Sequence, residues 1–112
     1  MSNNLGDAAS YSVRNAVTAN SDAVVAAATG LRLMGFSCRE SNGGAVATFT
    51  IQHSATGAAG NIVVAVELLA NSSLTQWFGP QGIDVATNGL SINHIAGEFD
   101  VTLYYLTTNP GA

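Results

Sequence analysis

The segment Gly97-Glu98-Phe99-Asp100-Val101-Thr102-Leu103-Tyr104-Tyr105 alternates apolar and polar residues over most of its length, and no other stretch limits the possible folds as sharply. In an extended chain Phe99, Val101, Leu103 and Tyr105 share one face, and Glu98, Asp100, Thr102 and Tyr104 share the other. A period of two rich in aromatic and β-branched residues describes a strand that buries one side and leaves the other open. It closes a longer stretch, Leu74 to Leu106, in which three strand-like segments are separated by turn residues.

Working back along the chain, the same pattern recurs. Ala45 to His53 alternates, with Ala45, Ala47, Phe49 and Ile51 on one side and Val46, Thr48, Thr50 and Gln52 on the other. Leu31 to Ser41 carries apolar residues on both sides, as expected of a strand crossing the centre of a sandwich. Asn42-Gly43-Gly44 lies between these two segments and supplies the residues a tight reversal needs, so the pair is expected to form a hairpin. Tyr11 to Val17 is expected as a short edge strand that Arg14 would blunt. Asp22 to Ala28 is compatible with a capped helix, but it is short and ends at Thr29-Gly30, which favours a strand. Ile62 to Ala70 follows a small-residue loop, Ser54 to Asn61, and its Glu67 should face solvent or a neighbouring subunit.

Eight or nine short strands at such spacing, with no strand–helix alternation, predict an all-β fold: an antiparallel β-sandwich, jelly-roll-like. At 112 residues the chain is one domain. Residues 1–10 are expected as a flexible arm, residues 11–106 as the sandwich and residues 107–112 as a tail. The first residues contain neither a basic stretch nor a long apolar run, so no signal peptide is expected.

Charged residues make up 9% of the chain against about 25% in ordinary globular domains. Lysine is absent, the basic side chains are Arg14, Arg32 and Arg39, and the net charge is -4. Three scattered arginines cannot replace the counterions of a phosphate backbone, so no nucleic-acid or anionic-membrane partner is expected. A neutral polar surface of this kind favours association with other protein.

Candidate chemistry is sparse. His53 and His94 lack a second ligand at metal-binding spacing. Asp84, Glu98 and Asp100 lie close in sequence, as glycosidase carboxylates can, but two of them share an ordinary solvated strand face. Cys38 reads as a small apolar core residue. No catalytic, cofactor or metal set emerges, so no enzymatic activity and no cofactor are expected. Trp77, Phe78, Tyr104, Tyr105 and Arg14 are the candidate protein-interface residues, and the aromatics among them suit sugar stacking as a second reading.

Four segments follow one another in a characteristic order: Gly30-Leu31-Arg32-Leu33-Met34-Gly35-Phe36, Trp77-Phe78-Gly79-Pro80-Gln81-Gly82-Ile83, Gly89-Leu90-Ser91-Ile92 and the closing Gly97 to Tyr105 strand. That order resembles small virion structural proteins of tailed bacteriophages. The resemblance spans roughly Gly30 to Tyr105. It implies a head decoration, or cement, protein made in the host cytoplasm and carried on the capsid exterior. Such a protein would be a homotrimer bound to the phage major capsid protein. The alternative is a tail-tip or spike module that recognises a host surface glycan.

Overall fold

The computed structural model describes residues 7–57 and 60–108. Among the described residues nine strands run in the order β1 (Asp7–Val17), β2 (Ser21–Val25), β3 (Arg32–Glu40), β4 (Ala47–His53), β5 (Asn61–Leu68), β6 (Ser73–Trp77), β7 (Ile83–Asp84), β8 (Leu90–Ala96) and β9 (Phe99–Thr108). They form two antiparallel sheets. The front sheet has the order β1-β9-β3-β6, with β7 also paired to β3, and the back sheet has the order β2-β8-β4-β5. With β7 set aside, first pairs with last throughout: β1 with β9, β2 with β8, β3 with β6 and β4 with β5. That ladder, wrapped so that β9 also meets β3 and β8 meets β4, is the jelly roll.

The alternation of β9 places its residues as the sequence predicts. Phe99, Val101 and Leu103 are buried in the core, and Tyr105 packs against its margin. From the back sheet, Phe49, Ile51, Leu90 and Ile92 meet them. Phe49 and Phe99 stack face to face across the two sheets, with centroids 3.9 Å apart.

The expected hairpin between Leu31–Ser41 and Ala45–His53 does not form. β3 pairs with β9, β6 and β7, whereas β4 pairs with β5 and β8 in the other sheet. Asn42-Gly43-Gly44 is therefore a corner between layers. The corner is held by Glu40, whose carboxylate accepts backbone N–H bonds from Asn42 (2.7 Å), Gly43 (2.9 Å) and Asn71 (2.8 Å). Gly43 has φ +94°, which only glycine adopts at little cost.

A second departure explains the two-sided apolar pattern of β3. The register against β9 shifts between Leu33 and Gly35. This bulge changes the facing of the strand, so that Leu31 and Leu33 on one side of it and Phe36 and Cys38 on the other all enter the core. Met34 is buried but stands apart from that core.

Strand pairing also extends past the expected domain limits. β1 begins at Asp7 and β9 ends at Thr108 because the two pair in register from Asp7↔Thr108 to Arg14↔Val101. The remainder of the expected arm and tail lies outside the described residues. The segment after β4 is a strap tied to the back sheet. The Ser91 hydroxyl donates to Thr56 O at 2.7 Å, Asn93 Nδ2 donates to Gly57 O at 2.6 Å, and Ala23 N–H donates to Ala55 O at 3.1 Å.

Candidate functional site: the outer face of the front sheet

The outer face of the front sheet carries a row of rings drawn from three strands. Tyr11 on β1 stands directly opposite Tyr104 on β9, with ring centroids 6.5 Å apart. Trp77 on β6 lies 6.3 Å from Tyr104 on the other side. Between Tyr104 and Trp77 runs β3, and the residue opposite both is Gly35. A Cβ there would collide with the Trp77 indole, so the missing side chain lets rings from non-adjacent strands meet. Tyr11 and Trp77 are 66% and 61% exposed, high values for side chains of this size on a folded surface.

Beneath the row lies a shallow apolar groove of about 350 Å³, lined by Tyr11, Met34, Trp77, Tyr104, Tyr105 and Leu106 along with Ser10. The β3 bulge supplies Met34 to this floor. The same face continues into a polar groove of about 300 Å³ that includes Ser37, Arg39, Thr75, Asp100 and Thr102. Ser37 Oγ and Tyr104 Oη, 3.2 Å apart, join the two halves. In the polar half Arg39 Nε donates to Asp100 Oδ2 at 2.8 Å, and Ala16 N–H donates to Asp100 Oδ1 at 2.8 Å. Partial burial pushes the Asp100 carboxyl upward, but the Ala16 N–H and the Arg39 guanidinium outweigh it and hold the group below its ordinary range.

The structure therefore brings together two of the residues expected at an interface, Trp77 and Tyr104, and adds Tyr11, Met34 and Leu106. Tyr105 touches the groove from the core side. Phe78 turns inward, its ring 6.1 Å from that of Phe36. Arg14 is half-buried on the side of β1 opposite Val101, away from the ring row, with its guanidinium donating to Val13 O at 3.2 Å. Tyr11 was legible as an apolar point on an edge strand. Its membership of the row depends on cross-strand register, which no local pattern encodes.

The other titratable groups are dispersed. Asp84 faces Arg32 and Asp100 faces Arg39, partners seven positions apart on β3. That is roughly 23 Å along a strand, beyond the carboxyl spacing that glycoside hydrolysis uses. His94 stacks on Phe99 and its Nε2 lies 2.6 Å from Gly97 O, whereas His53 Nε2 accepts from Asn88 N–H at 3.4 Å. The Cys38 thiol is pushed up to about 11 by burial, against a smaller opposing bond from the Leu74 backbone. It is an inert core group at neutral pH. Among the described residues no three His, Cys, Asp or Glu side chains gather as a metal site.

No family model, curated protein or solved structure matches this chain.

Proposed function

We propose that this chain is a virion structural protein of a tailed bacteriophage, a head decoration protein that binds the major capsid protein and braces the shell. The observation that carries the reading is the exposed ring row on the front sheet. Trp77, Tyr104 and Tyr11 present a large, nearly uncharged surface whose rings already lean on one another, so little side-chain freedom is left to lose on docking. Tryptophan and tyrosine at the centre of a neutral patch are the side chains that most often dominate protein contacts. The scarcity of charge lowers the desolvation cost of covering such a surface. Binding to the assembled shell, and not to its open form, would stabilise the particle by mass action.

Jelly rolls serve both viral coats and lectins, so the fold alone does not choose a function. A second reading, a spike module that binds a host glycan, is favoured by one feature: the apolar row runs directly into hydroxyl and ion-paired groups at Ser37, Thr102, Arg39 and Asp100.

The deciding measurement is binding of the purified chain to expanded shells that lack it, beside a glycan array. Saturable shell binding, weakened about 30-fold or more by Trp77→Ala, is the expected result. No shell binding together with capture on a polysaccharide would transfer the same face to the second reading.

A further inference from the structure

A β-sheet edge exposes unpaired N–H and C=O groups, and folded proteins blunt such edges with bulges, charges, prolines or covering loops. The two-residue β7 aside, the sheets have four outer strands, and three of them are blunted. β1 breaks register between Arg14 and Val17, where Ala16 takes φ +51° and its N–H is bound by Asp100. β2 breaks register between Ser21 and Val25, and its Ala23 N–H is bound by the strap at Ala55. β5 shifts register against β4 beside Gln52 and carries Glu67. β6 has none of these devices. Its five residues, Ser73-Leu74-Thr75-Gln76-Trp77, are uncharged, all exposed, free of proline, and paired to β3 without a break.

We infer that β6 is a self-association edge, along which a second copy of this chain adds its own β6 antiparallel about a two-fold axis at Thr75. The backbone geometry supports this register. Glu40 N–H donates to Ser72 O and Phe78 N–H donates to Met34 O, which fixes the even-numbered residues of the strand as those bonded to β3. Ser73, Thr75 and Trp77 therefore turn their N–H and C=O groups to the open side. About an axis at Thr75, Ser73 faces the partner's Trp77 and Thr75 faces its own copy, giving roughly six new main-chain bonds. Paired residues then lie on the same sheet face, as a continuous sheet requires. No charge meets a like charge, and a threonine pair is a favourable cross-strand neighbour. A second copy is the occupant that satisfies this symmetry with no side chain changed.

The pair would join two front sheets into one, with both ring rows on a common surface. It is two-fold, whereas the virion resemblance implies a trimer, and it stands whether or not the chain binds a shell.

The test uses the full chain. Light scattering should give a dimer, and Thr75→Lys, which sets two ammonium groups against each other on the axis, should give a monomer with an unchanged circular dichroism spectrum. Independently, Thr75→Cys treated with a short bifunctional thiol reagent should cross-link to a dimer much faster than Ser73→Cys. The Thr75 copies meet at about 5.5 Å between Cα atoms, whereas the Ser73 copies lie roughly 13 Å apart along the strands. Buried Cys38 does not compete for the reagent. A wild-type monomer or trimer at the highest concentration reached, or equal cross-linking at the two positions, overturns the inference.

Discussion

Glu40 ties two turns together through a single buried carboxylate. It sits at the last position of β3, 5% exposed, and gathers backbone N–H groups from both the corner after its own strand and the turn before β6. Those bonds favour the charged form. The Asn71 N–H contributes most, burial opposes it, and Gly43 and Asn42 add to it, so the group lies below its ordinary 4.5. A carboxyl whose pKa is lower in the folded state adds stability that is present above the unfolded value and lost as pH falls through the folded one. Asp100 has the same sign. The urea midpoint should accordingly hold steady above about pH 5 and fall on acidification. Glu40→Gln keeps the shape but loses the charge; it should lower the midpoint at neutral pH and flatten the acid limb. An unchanged acid limb in that variant would mean that the corner is held by something other than this carboxylate.

At the scale of elements, the strands whose outer neighbours are plain were readable, and those shaped by distant partners were not. β9 shows its buried face directly, because alternation is a local property, whereas β4 buries Thr50 and Gln52 of its polar side along with Phe49 and Ile51. The same locality misleads at Asn42-Gly43-Gly44. Those residues specify a change of direction, yet a hairpin and a crossing between sheets use the same turn chemistry, and the acceptor that separates them, Glu40, is bonded also to a residue 31 positions away. Met34 and the β3 bulge were hidden likewise, since the register shift exists only against β9. The strap after β4 reads as a loose small-residue loop because alanine, glycine and threonine give no sign of partners. Its anchors are on β8 and β2: Ser91, fully buried, and Asp22, whose carboxylate accepts Gly57 N–H at 2.6 Å. Ser91→Ala leaves Thr56 O without its donor and should cost about 1–3 kcal/mol in urea unfolding. Limited proteolysis should speed up at residues 54–57 and nowhere else among the described residues. Equal protection in the variant would show that the strap holds without this bond.

For the whole molecule, the first described strand pairs with the last, so the front sheet cannot close until nearly the full chain is in place. The contacts that define the fold are thus mostly between residues far apart in sequence, and refolding should be slow for a domain of this size, on the order of milliseconds to seconds. What makes the two sheets one cooperative unit is the layer between them, and its centre is the Phe49–Phe99 stack, one ring from each sheet at 3.9 Å and 13°. Either Phe→Leu change alone should cost on the order of 1–3 kcal/mol, because each ring is fully buried among close-packed neighbours. The double variant should fall short of the sum by about 0.5–1.5 kcal/mol, the part that belongs to the ring pair and vanishes once either ring is gone. Both singles should still unfold in one transition by fluorescence and by circular dichroism. If the two changes instead add without a remainder, the rings are merely neighbours in the core. The sheets would then be joined by the aliphatic layer around them: Leu33, Leu103, Ile51 and Ile92.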